Sequence, residues 1–458
     1  MRTGSTVAAA PGALPLLGHT LSLLRDPLRF LTSLSAHGDL VRIRIGRIEA
    51  IVVCTPELVR QILLKDRIFD KDGPFHDRSR EALGDGLATC PHRSHRRQRR
   101  LTQPAFHPAR LPSYAQVMTK QITEVTASWQ DGQVLDVLPE MMTLTARTAV
   151  ETMFSDALPR AALSAVLDDF NTILATIYTR VLIPPPLDRL LVVTNRRYDR
   201  ARARLRRIIG RVITDRRASG VDRGDLLSTL LTARDPADRQ GLSDTEIVDQ
   251  VITFFLAGSE TTATTLAWAV HLLAGHPEVE RRLHAEVDAV LAGAVARFDD
   301  LPKLELTSGV VTETLRMYPP AWILARATTT DTHLGGHPLP AGSLLFYSPY
   351  LLHHRPDLYP NPENFDPDRW TDGHRAPPAR EAFIPFAGGA RKCIGDTFAV
   401  TEITLALATL ATRWRLCLLP GRHVHPARAV LLQPRGLQMR ATLRSLSQQH
   451  SIRDSGFW

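Results

Sequence analysis

The sequence predicts a mainly α protein with a smaller β part (α+β), folded as one domain. Three observations carry this. Helical apolar spacing dominates from about Pro56 to Trp414, a short stretch near the N-terminus alternates like paired strands, and one helical segment from Ser243 to about Gly275 is unusually long. The chain has 458 residues, 44% hydrophobic and 22% charged, which excludes disordered and collagen-like classes and supplies a large core without disulfide or metal staples. Length alone suggests about three domains. Against that, the sequence has no repeat and no low-complexity linker, and its prolines are scattered, so residues 1–458 read as a single domain with flexible tails at 1–10 and 445–458.

The stretch from Asp39 to Cys54 is rich in Val and Ile and predicts two strands turned at Gly46 and Arg47; shorter strand-like runs recur near Leu324 to Leu345. In the long segment, Ser243 and Glu246 form a capping box, and Gly275 followed by Pro277 supplies the stop. A helix of about thirty residues spans roughly 45 Å, so it must cross the molecule. Asp244, Glu246, Asp249 and Glu260 exclude a membrane span for it. In its middle the apolar run Ile252 to Ala257 gives way to Gly258, Ser259, Glu260, Thr261 and Thr262. Polar side chains there are costly unless each is hydrogen-bonded, so the cluster predicts a functional site rather than packing alone.

At the N-terminus, Val7 to Leu17 is broken by Pro11, Gly12 and Pro15. Neither a signal peptide nor a membrane anchor fits, and the expected location is cytoplasmic. Cys54, Cys90, Cys393 and Cys417 lie far apart without a CxxC pair, which argues against a disulfide framework or a cysteine-rich zinc site. Net charge is +9, with a dense run at Arg93, Arg96, Arg97, Arg99 and Arg100. That run fits a nucleic-acid footprint, a dock for an acidic protein, or a solvated helix face. GxSxG, HExxH, GxGxxG and Walker patterns are absent, so neither a classical hydrolase nor a built-in dinucleotide site is predicted.

Chemistry concentrates near the C-terminus, in FAGGARKCIG from Phe386 to Gly395, followed by a helical pattern from Thr397 to Thr412. A cysteine just before a helix start feels the positive end of the dipole, which favours a thiolate. Gly389 and Gly395 allow a tight turn and close approach of a flat ligand, Phe386 can shield the sulfur, and Arg391 can pair an anion. A buried structural cysteine is the plain alternative for Cys393 and suits Cys54, Cys90 and Cys417. Upstream, Glu313 and Arg316 share one helix face at i, i+3, with Pro319 and Pro320 ending that helix, and Arg369 lies in FDPDRW. Taken alone, Glu313 and Arg316 are a common surface ion pair.

FxxGxRxCxG at Phe386 to Gly395, ExxR at Glu313 and Arg316, AGxET at Ala257 to Thr261 and FxPxRW at Phe365 to Trp370 occur in order. Together they resemble the cytochrome P-450 superfamily of haem-thiolate monooxygenases, over about Pro11 to Arg440. The resemblance implies a large helical lobe with a smaller β-rich lobe, a long central helix across the haem, and haem b (iron protoporphyrin IX) held by the Cys393 thiolate, which favours O–O cleavage. It places Glu313, Arg316 and Arg369 in a buried structural triad. His95, Arg99, Arg326 and Arg391 match partners of the haem propionates, which claims part of the arginine run, so that no nucleic-acid partner is expected. His95 stands where much of the superfamily has Trp.

On the distal side Thr261 matches the threonine that hydrogen-bonds dioxygen, and Glu260 the proton-relaying acid, in place of the Asp of many members. Ala257 and Gly258 match the widening of the central helix that admits O2. The expected partners are O2, a ferredoxin and its NAD(P)H-dependent reductase, with Arg96, Arg97, Arg100 and Lys392 as a basic dock; the protein is expected to act as a monomer. Positions facing the substrate fall near Phe69 to Leu87, Pro184 to Leu190, Phe254, Phe255, Trp322, Ile323 and Gln433 to Gly436, mostly apolar; the aromatic ones equally suit the core. APGALPLLGHT, LATCPHRSHRRQRRLTQPAFHP, PPAWILARATT and SPYLLHHRPDLY resemble a branch that oxidises an allylic methyl of a tricyclic sesquiterpene to an alcohol and then an aldehyde. Another terpene, a macrolide or a fatty acid stays open as substrate, as do a peroxide-driven enzyme and a basic nucleic-acid-binding protein as remoter classes.

Overall fold

The structure is a computed structural model and describes residues 7–155, short stretches between 165 and 176, and residues 192–371, 381–427 and 431–444. The substrate-facing region expected at Pro184 to Leu190 lies outside the described residues, as do the tails 1–6 and 445–458.

The predicted hairpin forms as Leu40–Ile45 and Ile48–Val53, antiparallel with Ile45 opposite Ile48, and Gly46 takes φ +59° in the turn. It belongs to a six-stranded sheet in the order Ala8–Ala9, Leu40–Ile45, Ile48–Val53, Leu344–Tyr347, Leu324–Thr328 and Phe69–Asp70. Ala8 and Ala9, expected in a frayed tail, instead pair parallel with Val41 and Arg42. Such a short edge strand has no apolar pattern of its own. Its partner's unpaired edge holds it.

The long helix is Asp244–Gly275, with both halves of the capping box present: Glu246 N donates to Ser243 Oγ at 3.2 Å and Ser243 N donates to Glu246 Oε2 at 2.8 Å. It packs along the helices Val137–Phe154 and Asp396–Arg413. Its two halves serve different cores. Ile247, Val251, Ile252 and Leu256 belong to one apolar cluster, and Ala263, Leu266, Val270 and Leu273 to another. The polar middle from Ala257 to Thr262 lies at the seam between them. The Cys393 loop straddles the same seam, because Phe386 and Phe398 pack on the second cluster while Ile394 packs on the first. Ala387 of that loop packs on a third cluster, built around the sheet. The two regions singled out in the sequence are therefore brought to one place by the division of the core.

Candidate active site

The loop Phe386–Gly395 is shaped by its glycines. Gly389 has φ +65°, and a Cβ there would lie 2.0 Å from Leu63 O, so no other residue fits without moving the backbone. The amide of Cys393 donates to Phe386 O at 2.9 Å and closes the loop about the sulfur. Cys54 and Cys90 are buried and Cys417 lies half-buried in the strand Trp414–Leu418, whereas Cys393 is exposed in area. Its thiol is nevertheless pushed up by desolvation, opposed by the Gly395 amide and, more weakly, by Arg99. The side chain is thus exposed in area yet surrounded by enough protein to disfavour the free thiolate. The free thiol is raised, not lowered as the dipole reasoning expected; the helix begins only at Asp396, and burial outweighs it. A bound metal ion deprotonates a coordinating thiol outright.

At the same seam of the core stands the middle of the central helix. Ala257 is exposed and Gly258 and Thr261 are half-buried, although Leu256, Ser259 and Glu260 beside them are buried. A Cβ on Gly258 would meet nothing within 4 Å. Thr261 Oγ1 donates to Ala257 O at 2.6 Å, and Glu260 Oε1 accepts from Gln433 Nε2 at 2.7 Å. Phe254 and Phe255, expected on the substrate side, are committed to packing: Phe254 is edge-on to Phe106 at 5.0 Å, and Phe255 stacks on Phe170 at 3.5 Å. Trp322 is buried beside the sheet, and Ile323 is half-buried.

Around this site the structure gathers cations. Arg326 is 2% exposed on the strand Leu324–Thr328; its Nη1 donates to Ala325 O at 2.7 Å, its guanidinium lies 5.5 Å from the Tyr347 ring, and among the described residues it pairs with no carboxylate. His95 is buried with Nδ1 unpartnered, and burial, with Arg391 and Lys71 nearby, pushes its pKa down to about 3. Arg99 Nη1 donates to Lys392 O at 2.6 Å, which docks the helix His92–Thr102 against the cysteine loop. Arg391, matched by resemblance to a propionate partner, is engaged within the chain: Asp70 holds it at 2.6 Å and Asp66 at 3.6 Å, and its Nη1 donates to Cys90 O at 2.8 Å.

Lys71, which no motif flagged, is half-buried, with Nζ donating to Ala88 O at 2.6 Å; desolvation first, then Arg326 and Arg391, push its pKa down to about 7. Among the described residues, the carboxylates that act on Lys71 and Arg391 are Asp66 and Asp70. A site with an unpaired buried guanidinium, an orphan imidazole nitrogen and a strained lysine fits a ligand carrying two carboxylates, and the open backbone at Gly258 fits a flat one. Haem meets both requirements.

Behind the loop, Glu313 and Arg316 are both 0% exposed, not a surface pair. Arg316 donates Nε and Nη2 to the carboxylate at 2.8 and 2.7 Å, Trp370 Nε1 adds a bond at 2.8 Å, and Arg369 Nε stands 3.5 Å away. Arg316 Nη1 also reaches His353 O at 2.9 Å. The expected basic dock is partly self-neutralised: Arg97 bonds Glu246 at 2.7 Å, Arg100 bonds Asp235 at 2.8 Å, and Lys392 pairs with Asp396. Arg96 is exposed.

The sequence pattern of the family described as Cytochrome P450 matches residues 9–441. The chain is 48% identical over 91% of its length to a cyclooctat-9-en-7-ol 5-monooxygenase of Streptomyces melanosporofaciens, of which it covers 91%. It is 47% identical over 96% of its length to a pentalenene oxygenase of Streptomyces avermitilis, of which it covers 98%. The crystal structure of the cytochrome P450DA heme domain superposes with a TM-score of 0.87, at 27% identity, covering 97% of this chain and 99% of that one. No helix among the described residues is long and apolar enough to cross a membrane. With its cysteine loop and central helix meeting at one seam of the core and its family pattern matched from end to end, the chain belongs to the cytochrome P450 family of haem-thiolate monooxygenases.

Proposed function

We propose that this monooxygenase oxidises a terpene, and that pentalenene is its substrate, the allylic methyl being taken to the alcohol and then the aldehyde with electrons from a reduced ferredoxin. The observation that carries the terpene class is the near-equal likeness to a pentalenene oxygenase and a cyclooctat-9-en-7-ol 5-monooxygenase over more than nine-tenths of the chain. The slightly higher identity of the latter makes cyclooctat-9-en-7-ol the second reading. The strings APGALPLLGHT, LATCPHRSHRRQRRLTQPAFHP, PPAWILARATT and SPYLLHHRPDLY, which extend beyond the shared motifs, support the first.

Haem, when bound, supplies the activation of O2 and the oxidation of an unactivated C–H bond. The residues do the rest. Cys393 would hold the iron through its thiolate, because among the four cysteines it is the exposed one and lies in the glycine-shaped loop. Arg326, His95, Arg99 and Lys71 would bind the propionates, and Arg391, held by Asp66 and Asp70, would keep the floor of that site in register. Ala257, exposed, and Gly258, open to a Cβ, would leave room for a flat group. The Thr261 hydroxyl, whose own proton is engaged by Ala257 O, offers its lone pairs to the site, and Glu260 carries protons in from the buried side. Phe386 screens the sulfur. Trp322 and Ile323 form part of an apolar wall for the substrate, with Phe254 and Phe255 stiffening the helix behind it. Glu313, Arg316 and Arg369 hold the scaffold. Arg96 and Arg100, beside the loop that Arg99 braces, are the dock for an acidic electron donor.

An optical titration of the ferric protein with pentalenene and with cyclooctat-9-en-7-ol tests this reading, followed by product analysis after reconstitution with a ferredoxin system. A spin-state shift with pentalenene, together with alcohol and aldehyde products, is the expected result. A shift and product only with cyclooctat-9-en-7-ol moves the assignment to the second reading, and turnover of neither removes both.

A further inference from the structure

Glu260 is held by a side chain that none of the motifs includes. It is 4% exposed, and its hydrogen-bond donor, Gln433, lies 173 residues further along the chain. Gln433 precedes the short strand Pro434–Arg435, paired antiparallel with His425–Pro426. Its backbone is fixed on both sides. Gln433 N donates to Leu431 O at 3.0 Å and Ala427 N donates to Gln433 O at 2.7 Å. The preceding residue is pinned twice more: Leu432 N donates to Pro320 O at 3.0 Å, and Trp268 Nε1 donates to Leu432 O at 2.6 Å. Trp268 belongs to the same central helix as Glu260. Acid and amide are therefore referenced to one rigid element, and the amide is presented with little freedom left to lose.

The donor is also chemically selective. An arginine at this point would hold the carboxylate ionised, whereas a neutral amide orients it and still lets it take up a proton. Meanwhile Thr261, the next residue, spends its hydroxyl proton on Ala257 O and so needs its protons from elsewhere.

We propose that Gln433 is a positioning residue for proton delivery. Its amide fixes the rotamer from which Glu260 passes protons toward Thr261. This rests on the reading of Glu260 as the proton-carrying acid. Each proton that Glu260 releases is replaced from solvent, so the carboxyl ends the cycle unchanged, and the electrons come from the NADPH-driven donor.

The test uses the haem-loaded full chain reconstituted with a ferredoxin and its NADPH-dependent reductase, counting NADPH oxidised and peroxide released, with pentalenene and with no terpene added. NADPH that ends in peroxide counts failures of proton delivery. Gln433→Leu, similar in size but without a donor, is expected to lower kcat about tenfold and to raise the peroxide share, with KM for pentalenene unchanged within about twofold. Gln433→Asn keeps a neutral amide donor and is expected to recover part of the coupling, whereas Gln433→Lys, which holds the carboxylate ionised, is expected to leave the peroxide share raised. The double variant Glu260→Gln/Gln433→Leu should be no worse than Glu260→Gln alone. Should Gln433→Leu fail to take up haem, Gln433→Glu, which sets a carboxyl against a carboxyl at the same size, is expected to raise the peroxide share likewise. A raised peroxide share in Glu260→Gln with none in the Gln433 variants overturns the positioning role and leaves the acid standing. An unchanged share in Glu260→Gln removes the acid and the proposal together.

Discussion

Glu313 is the most heavily used carboxylate in the core, and its neutralisation is expected to be among the costliest single changes in the chain. In Glu313→Gln the shape is kept and the charge is lost. Two guanidiniums, Arg316 at 0% and Arg369 at 4% side-chain exposure, then stay buried without their shared anion. The new amide NH2 must also face at least one of three donors: Arg316 Nε, Arg316 Nη2 or Trp370 Nε1, all within 2.8 Å of the present oxygens. Removing one partner of a buried ion pair costs about 3–5 kcal/mol, against a whole-protein stability of about 5–15 kcal/mol. Urea unfolding followed by circular dichroism, with haem content read from the carbon monoxide difference spectrum, measures the effect. Glu278→Gln serves as the control, because Glu278 and Arg281 form a pair that is 68% and 70% exposed and should lose nothing measurable. Full haem loading in Glu313→Gln, with an unfolding free energy within about 1 kcal/mol of wild type, would refute the reasoning that this triad braces the cysteine loop.

Three further outcomes are expected. In haem-free protein Lys71 has a folded pKa of about 7, below its unfolded value of 10.5, so between those limits the unfolded chain binds more protons and stability rises with pH. That slope, at most about 5 kcal/mol over the window, should vanish in Lys71→Met and shrink on haem binding; urea midpoints at pH values near each end would show it. Gly389→Ala should lose haem uptake, since its Cβ would meet Leu63 O at 2.0 Å, while Gly388→Ala meets only the flexible Leu63 Cδ1 at 3.3 Å and should keep it. Reversing Arg96 and Arg100 to glutamate should slow electron transfer from ferredoxin about tenfold at low salt, with the difference fading as salt rises; salt-independent rates equal to wild type would remove the dock.

What was legible in the sequence was local. The capping box at Ser243 and Glu246 and the stop at Gly275 are set by neighbours a few residues away, and the structure ends the helix where they say. The hairpin at Gly46 and the helix after Gly395 were legible for the same reason. Pairings across the chain carried no such signal. The partners of Arg391 are Asp66 and Asp70, and the helix Arg97 bonds to Glu246; nothing in the spacing of these residues distinguishes them from solvated charges.

Lys71 shows the limit most sharply. Flanked by Asp70 and Asp72, it reads as one more surface charge, and only the fold reveals that Asp70 turns away to Arg391 while the lysine is carried inward to Ala88 O. The same holds for Gln433, a polar residue in a proline-bounded turn whose importance depends on where the central helix passes. Motifs marked the atoms that do the chemistry because those need particular elements at particular intervals. The residues that aim them are free to come from anywhere the chain folds back, so a second layer of this site had to be found in space. A site's chemistry is thus written in short intervals and its precision in long ones, which is why the variants at Lys71 and Gln433 test more of this fold than those at Cys393.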